Sequence, residues 1–243
     1  MRTPRFHCPP PLALGGRVSL PPDAAHHAVR VLRMSAGDAL QLFDGAGGEF
    51  RARVERIDKH SLVAVIEQAV DNDRESPLHI TLAQGISSGD RMDFTLQKAV
   101  ELGVAAVRPI QTERSVVKLA GERAIKRLQH WQSVVISACE QCGRSVVPEV
   151  HAVSGFADWL AIETATAVRI VLAPDAEQRL ADLPRPATPV VLLAGPEGGL
   201  TDSELTAARL RGFTPARLGP RILRTETAAL AALSAMQSLW GDF

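Results

Sequence analysis

Two short and almost wholly apolar segments, Val168–Ala173 and Val190–Ala194, constrain the fold of this chain more than any other feature. Strands that are buried on both faces have such runs, and they occur in parallel sheets whose faces are covered by helices. Leu78–Ala83 and Val104–Ile110 are predicted to be further strands, because a helix-like segment separates them. The alternation of strand and helix after Pro77 therefore predicts an α/β domain with a mostly parallel sheet.

The segments between and after these strands have the caps and the apolar spacing of helices. In chain order they are Asp90–Leu102 with Asp90 as its N-cap, Glu122–Cys142, Thr201–Gly212 and Thr225–Trp240. The third opens with a capping box, in which Thr201 and Glu204 satisfy each other's backbone donors. A last short strand is predicted over Phe213–Leu218, between the final two helices.

Residues 1–72 have a different pattern and are predicted to form a small β-domain. The predicted strands are Arg17–Leu20, Asp38–Phe43, Glu49–Ile57 and Ser61–Val70, with one short helix over Ala24–Leu32 that Asp23 caps. Asp44–Gly48 is a hairpin signal between the second and third strands. The polar segment Asp71–Pro77 is predicted to be a linker, so that residues 73–243 form the α/β domain.

Composition sets limits on the function. The chain has 243 residues, with 27 basic and 27 acidic side chains and a formal net charge of zero. A nucleic-acid partner would therefore have to meet positive charge that is gathered locally. The sequence contains no apolar run of about 18 residues, so a transmembrane helix is not predicted. The N-terminus lacks the apolar stretch of a signal peptide, so a signal peptide is not predicted either. The three cysteines are too few for a disulfide framework and favour a reducing, cytoplasmic location.

A glycine-rich loop, Gly195–Gly199, follows the second buried strand and precedes the capped helix. Ligands in open α/β sheets bind beyond the carboxyl ends of the strands, and glycines let the main chain approach a ligand closely. The same glycines would suit a tight turn without a ligand, and the loop alone leaves both alternatives open. A Rossmann dinucleotide site is excluded, because this loop lacks the required glycine spacing and the acid that should follow it.

A second unusual segment, Leu218–Thr227, also leads from a strand through a Gly-Pro turn into a helix. Arg221, Arg224 and Glu226 lie within it. A charge cluster is usually a solvated surface, but this one lies between a buried strand and an apolar helix. A functional role is therefore favoured over a solvated surface.

Together these two motifs resemble those of the SPOUT class of methyltransferases, and the sequence is most similar to the RsmE family. Further segments carry the resemblance through nearly the whole chain: Arg30–Met34, Leu42–Gly45, Arg74–Leu78, Gln97–Lys98, Glu101–Val104 and Ala138–Arg144. The resemblance implies S-adenosylmethionine-dependent methylation of ring nitrogen 3 of a uridine in small-subunit ribosomal RNA. It also implies a PUA-like RNA-binding barrel over residues 1–72, a SPOUT α/β domain with a deep trefoil knot over residues 73–243, and a homodimer.

The resemblance also assigns the residues that bind S-adenosylmethionine, mainly through their main chain. They are Leu172, Ala173, Pro174, Ala194, Gly195, Pro196, Glu197, Gly199, Leu218, Gly219, Pro220, Ile222 and Leu223. Methylation of a uracil nitrogen also requires removal of the ring proton, for which Glu226 is the candidate base and Arg224 the candidate to stabilise the anion. An acid in the first turn of a helix also suits the helix dipole, so a purely structural role for Glu226 stays open.

RNA docking is expected of the first domain, where arginines are dense. The candidates are Arg2, Arg5, Arg17, Arg30 and Arg33. Phosphate binding needs such groups on one face, and a scattered solvated surface is the alternative. No metal site is predicted, because neither His26 and His27 nor the lone Cys139–Cys142 pair has further ligands at usable spacing. A non-catalytic RNA-binding protein on the same scaffold remains the alternative function, and cofactor binding would distinguish the two.

Overall fold

A computed structural model describes residues 3–58, 61–72, 74–162 and 167–243 of the chain. The chain divides into two compact units, which are Met1–Glu75 with Cys139–Val147, and Ser76–Ala138 with Pro148–Phe243. The predicted linker Asp71–Pro77 includes residue 73, which lies outside the described residues. In the described part of the chain, no helix is long and apolar enough to cross a membrane.

The described residues of the first unit form a five-stranded sheet with the order β1-β3-β4-β5-β2. Its strands are β1 (Arg5–His7), β2 (Arg17–Ser19), β3 (Ala39–Phe43), β4 (Glu49–Ile57) and β5 (Leu62–Val70). β1 pairs parallel with β3, and the other three pairs are antiparallel. The predicted hairpin between β3 and β4 is confirmed, and Asp44 Oδ1 closes its turn by accepting the N–H groups of Ala46 and Gly48 at 2.8 and 2.9 Å.

The helix of the first unit begins earlier than predicted and changes its winding. It consists of α1 (Pro22–His26) and a π-helical turn over His27–Val31. Asp23 is therefore not the N-cap; Pro21 occupies that position and Asp23 lies in the first turn. The reason is Pro22, since the fixed φ of proline suits the first helical position and its missing N–H removes no helical bond there.

A buried charged cluster joins the segment Cys139–Val147 to the sheet of the first unit. The Arg5 side chain donates to both carboxylate oxygens of Glu49 at 3.3 and 3.1 Å, to the Cys139 carbonyl at 2.7 Å and to Ser145 Oγ at 3.2 Å. Asn72 also donates to Glu49. Burial alone would raise the pKa of Glu49, but the hydrogen bonds from Arg5, Ser145 and Asn72 lower it below its ordinary value. A buried charge needs such partners, so the cluster acts as one structural unit.

The second unit holds the parallel sheet. Its described strands are β6 (Ile80–Gly85), β7 (Ala106–Gln111), β8 (Glu149–Val150), β9 (Ser154–Gly155), β10 (Val168–Leu172), β11 (Val190–Ala194) and β12 (Thr214–Ala216). Their order is β12-β10-β11-β6-β7-β8, with β9 also on β7, and every pair is parallel. All five residues of β11 are buried. The predicted parallel sheet is therefore confirmed.

Except for the short helix α4 (Phe156–Ile162), which the sequence signals do not predict, the helices of this unit lie where those signals predict them, with small shifts. They are α2 (Gly89–Glu101), α3 (Gly121–Cys142, whose last four residues belong to the first unit), α4 (Phe156–Ile162), α5 (Asp202–Leu210) and α6 (Thr225–Trp240). The capping box at Thr201 is confirmed. Asp90 is not the N-cap of α2, because the helix starts at Gly89 and Ser88 occupies that position, two residues earlier.

Candidate active site

A cavity of about 540 Å³ opens at the carboxyl ends of β10, β11 and β12. These three strands are neighbours in a parallel sheet, so the loops that follow them meet at one edge, where open α/β sheets bind their ligands. The walls come from Leu172–Asp175 after β10, from Ala194–Leu200 after β11, and from the segment between Ala216 and Ala228 after β12. A volume of this size suits a small-molecule cofactor.

The sequence-derived cofactor residues all line this cavity except Pro220, which is exposed beside it. Arg224 and Glu226 line it as well. The structure thus brings together residues from three loops that are far apart in the sequence. Ile222 is 87% exposed although it lines the cavity, so the loop after β12 forms the solvent-facing wall.

The glycines of the first loop have two different tasks. A Cβ on Gly195 would lie 3.0 Å from the Leu200 nitrogen, within its own loop, so Gly195 is required by the turn itself. Gly199 has φ +68° and no atom within 4 Å of a built Cβ. A side chain there would be strained by the backbone conformation and not by crowding. Gly85 at the end of β6 also has no room, because its Cβ would lie 2.5 Å from the Pro196 nitrogen.

Glu197 anchors the glycine-rich loop from the inside. Its Oε1 accepts the N–H and the hydroxyl of Ser88 at 2.8 and 2.9 Å and the Arg91 guanidinium at 3.0 Å. Burial would raise the pKa of Glu197, but the hydrogen bonds from the Ser88 backbone, from its hydroxyl and from Arg91 lower it below the ordinary value. Because the hydroxyl of Ser88 is engaged in this way, it does not cap α2.

Arg114 braces the same loop from the other side. Its guanidinium donates to the carbonyls of Gly198 and Leu200 at 3.0 and 3.4 Å. Sequence reasoning did not identify Arg91 or Arg114. A signal for Arg114 existed, since it follows β7 closely and the carboxyl ends of parallel strands lie at one edge. Arg91 offered no such signal, because it lies inside a helix.

The two candidate catalytic residues differ from Glu197 in how they are bonded. Arg224 occupies the N-cap position of α6 with an exposed side chain, and its guanidinium has no hydrogen-bond or ion-pair partner among the described residues. Glu226 lies in the first turn with its carboxylate 4.0 Å from Arg91 Nε. Its Oε2 is buried without a hydrogen-bond partner in the described part of the chain, as is Oε2 of Glu197. Among the described residues, the cavity wall therefore carries two unengaged guanidinium groups, those of Arg221 and Arg224, and two buried carboxylate oxygens that can still accept.

The predicted RNA-binding arginines fall into different environments. Arg2 lies outside the described residues. Arg5 is 7% exposed and fully engaged in the buried cluster with Glu49, so it presents no surface to a phosphate. Arg17 is exposed but bonded to Glu55 at 2.8 Å. Arg30 and Arg33 are exposed on and directly after the π-helical turn, and Arg33 has a positive φ of 55°. Among the candidates that the structure describes, Arg30 and Arg33 are the two that are exposed without a hydrogen-bond or ion-pair partner, as phosphate contacts require.

The first cysteine of the pair in α3 is not a reactive thiolate. Cys139 is buried, and its burial raises the pKa of the thiol to about 12. The thiolate is the nucleophile and the metal ligand, so this residue is a packing element. Within the described ranges, no three histidine, cysteine or acidic side chains are grouped so that they could hold a metal ion.

Comparisons with known proteins match both units. The RNA methyltransferase domain family matches residues 74–237, and the RNA methyltransferase PUA domain family matches residues 20–67. The chain therefore belongs to the class of RNA methyltransferases that carry a PUA domain on the N-terminal side of the methyltransferase domain. Ribosomal RNA small subunit methyltransferase E from Buchnera aphidicola of Schizaphis graminum is 36% identical over 99% of this chain and 98% of that protein. The enzyme of the same name from Bacillus subtilis is 32% identical over 90% of this chain and 88% of that protein.

A solved structure agrees with these relatives. Ribosomal RNA small subunit methyltransferase E from Neisseria gonorrhoeae, bound to S-adenosyl methionine, is 46% identical and superposes with a TM-score of 0.94 over 100% of both chains. The chain belongs to the ribosomal RNA small subunit methyltransferase E family. The predicted fold class, a SPOUT-type α/β domain behind a PUA-like β-domain, is confirmed. The trefoil knot that the SPOUT class implies stays a prediction.

Proposed function

We propose that this protein transfers a methyl group from S-adenosylmethionine to ring nitrogen 3 of a uridine in small-subunit ribosomal RNA. The observation that carries the proposal is the cavity at the ends of three parallel strands, in the unit that matches the RNA methyltransferase domain. The related enzyme from Neisseria gonorrhoeae is described as bound to S-adenosyl methionine. The choice of ring nitrogen and nucleotide rests on the family resemblance.

The residues of the cavity fit this cofactor. S-adenosylmethionine brings a sulfonium and an ammonium, both positive, and supplies a methyl group whose leaving group is already neutral when it departs. The wall offers Oε2 of Glu197 and Oε2 of Glu226 as buried acceptors without hydrogen-bond partners among the described residues. It also offers open space over Gly199, where a Cβ would meet nothing within 4 Å. Buried acceptors of this kind require a partner, and a cationic ligand provides one.

Arg224 and Glu226 are proposed to act on the uracil ring. A uracil nitrogen that accepts a methyl group must lose its proton, and the ring becomes an anion as it does so. The Glu226 carboxylate has a free oxygen that can take this proton, and general-base catalysis typically contributes several powers of ten. The unengaged guanidinium of Arg224 can stabilise the anion through its positive charge and its planar set of donors.

The RNA-facing part of the protein is proposed to be the PUA-like domain, residues 1–72, with residues 73–243 as the catalytic domain. Arg30 and Arg33 are its proposed phosphate contacts, since both are exposed and neither guanidinium has a partner among the described residues. Arg5 and Arg17 are left out of this set, because Glu49 and Glu55 already neutralise them. The substrate form, naked RNA or assembled small subunit, is for the assay to decide.

A two-fold homodimer in the cytoplasm completes the proposal. Leu239 of α6 is 46% exposed, and Ala228, Ala231 and Ala235 of the same helix are partly exposed small residues. Small residues let a second helix approach closely, and an exposed leucine gains from being covered. The monomer covers Leu233, Met236 and Trp240 by itself, so the apolar surface that α6 leaves for a partner is narrow.

The test is methyl transfer with the purified full-length protein. Small-subunit RNA and assembled subunits from a strain that lacks the corresponding gene are incubated with labelled S-adenosylmethionine, and the modified base is mapped. Label in a uracil at ring nitrogen 3 supports the proposal, and label elsewhere corrects its position. Tight cofactor binding without transfer to either substrate would contradict it and favour a non-catalytic RNA-binding protein.

A further inference from the structure

A buried glutamine behind the cavity joins parts of the site that are far apart in sequence. Gln84 lies near the end of β6, and its side chain is fully buried. Its Nε2 donates to the carbonyl of Gly85 at 3.0 Å, to Thr225 Oγ1 at 3.0 Å and to the carbonyl of Gly195 at 3.3 Å. The opposite orientation of the amide would place its oxygen against two carbonyls, so the nitrogen must face them.

The hydroxyl of Thr225 completes the junction. It donates to the Gly195 carbonyl at 2.6 Å. A hydroxyl has one proton, so the bond between Thr225 and Gln84 has the glutamine as donor and the threonine as acceptor. We call Gln84, Thr225 and the Gly195 carbonyl the Gln84 clasp. All its donor directions are fixed by the two carbonyls, which can only accept.

The other end of the Gln84 amide has no counterpart. Gln84 Oε1 is buried and has no hydrogen-bond partner among the described residues. An unpaired buried acceptor destabilises the fold, whereas an apolar side chain of similar size would leave no such atom. The glutamine is thus unfavourable for packing alone, and its value must lie on the donor side.

The Gln84 clasp connects the glycine-rich loop of the cavity to the start of α6. Gly195 begins the glycine-rich loop of the cavity, and Thr225 begins α6. Thr225 also lies between Arg224 and Glu226, the two residues proposed to act on the uracil. Fixing the Thr225 hydroxyl on the Gly195 carbonyl therefore fixes the start of α6, and with it the direction of both neighbours, relative to the loop.

We propose that Gln84 and Thr225 are positioning residues that set Arg224 and Glu226 relative to the cofactor loop. This inference rests on the proposed function for its effect on the rate. Neither residue needs to touch the reacting atoms, because Gln84 acts through Thr225 and Thr225 acts through its two neighbours. Displacement of a catalytic group by about 1 Å can lower a rate about a hundredfold.

The experiment compares Gln84→Leu, Thr225→Val and the double variant with a control variant in α6, the helix that Thr225 begins. Gln237 of α6 is also fully buried and also donates to a main-chain carbonyl, that of Leu102 at 2.9 Å. It does not line the cavity, so Gln237→Leu removes a similar buried amide away from the site. For each variant, the melting temperature is measured first. The kcat, the KM for RNA and the Kd for S-adenosylmethionine are then measured at a temperature well below it.

Each clasp variant is expected to lower kcat by about tenfold to a hundredfold, to weaken cofactor binding by a few fold and to leave the KM for RNA unchanged. The double variant is expected to be about as impaired as the worse single one, because both act through one junction. Thr225→Ser keeps the hydroxyl and is expected to recover most of the rate lost in Thr225→Val. Gln237→Leu is expected to lower the melting temperature without these losses.

Equal losses of melting temperature in Gln84→Leu and Gln237→Leu, with kcat and cofactor affinity unchanged in both, would overturn the clasp. Losses that multiply in the double variant would overturn it too, since they would place the two residues in separate roles. If the parental protein transfers no methyl group, the proposed function fails, and the coupled change in cofactor affinity still tests the clasp.

Discussion

Neutralising Glu197 tests whether this carboxylate anchors the glycine-rich loop. Glu197→Gln keeps the shape of the side chain and one carbonyl-type acceptor, but it removes the charge. In the parental protein, one oxygen accepts two bonds from Ser88 and one from Arg91, all at 3.0 Å or less. Hydrogen bonds to a charged group are roughly twice as strong as neutral ones.

The magnitude follows from these three bonds. A net hydrogen bond contributes about 1 kcal/mol when neutral and about 1.5–3 kcal/mol when one partner is charged, so each bond to Ser88 should lose about 1 kcal/mol. The Arg91 side chain is 44% exposed, and solvent screening reduces its share to a few tenths. The total is about 2 kcal/mol, which lowers the melting temperature by roughly 4–8 °C for a domain of 150–250 residues.

The dependence on pH gives the sign of the effect. The pKa of Glu197 is lowered in the folded protein from its ordinary value of 4.5. A carboxyl with a lowered pKa contributes stability that is fully present above its unfolded pKa and is lost as the pH falls through its folded pKa. The gap in stability between the parental protein and Glu197→Gln should therefore be complete at pH 7 and should close in acid, below pH 4.5.

Thermal and urea unfolding from pH 7 downward measure this gap, with Glu226→Gln as the control. Glu226 lines the same cavity, but its nearest cation is 4.0 Å away and one oxygen has no partner among the described residues. We expect Glu226→Gln to unfold like the parental protein while its turnover falls and partly recovers at higher pH. Equal stability of Glu197→Gln and the parental protein at pH 7, or a gap that persists in acid, would refute the anchoring role.

Four further outcomes are expected. Gly199→Val should weaken S-adenosylmethionine binding at least about tenfold in calorimetry, because Gly199 has φ +68° in the loop that lines the cavity, and a branched side chain is strained at a positive φ and would shift that loop. Arg224→Ala should lower kcat by about a hundredfold with little change in cofactor affinity; methylation at the parental rate would make its charge structural. Light scattering at micromolar concentration should give a dimer that Leu239→Glu converts to a monomer, and a monomeric parental protein would contradict the α6 interface. Arg30→Ala combined with Arg33→Ala should weaken RNA binding and flatten the log–log salt dependence by about 0.7–0.9 per lost contact, whereas an unchanged slope would exclude them as phosphate contacts.

The sequence predicts the centre of the fold better than its edges. Val190–Ala194 and Thr225–Trp240 have the same bounds in prediction and structure, because a short apolar run of β-branched and leucine residues favours a buried strand and a long alanine-rich segment favours a helix. The helix α4 was not predicted. It has seven residues, and Trp159 packs against the rings of Phe156 and Phe213 at 6.0 and 5.7 Å. A helix this short is stabilised by tertiary contacts that no local pattern contains.

For the site, the sequence locates the loops that line the cavity but not the side chains that contact these loops from other helices and loops. Arg91 contacts Glu197 across 106 positions of sequence, and Arg114 contacts Gly198 across 84. Such contacts depend on which strands are neighbours in the sheet. The local sequence pattern of a buried strand does not show which other strands it pairs with. Burial of Arg5 was missed for the same reason, since its partner Glu49 lies on a strand two places away in the sheet.

The bonding of the two cavity glutamates separates stability from chemistry within one wall. Oε1 of Glu197 accepts three hydrogen bonds, from Ser88 and Arg91, that hold its loop. The carboxylate of Glu226, in contrast, lies 4.0 Å from Arg91 Nε. A carboxylate that already accepts three hydrogen bonds is a weak base, because each bond favours the charged form. Both glutamates keep an Oε2 without a hydrogen-bond partner among the described residues, so they differ only in the other oxygen, Oε1, which in Glu197 holds the loop. This difference favours Glu226 over Glu197 as the proposed proton acceptor, although both line the same cavity.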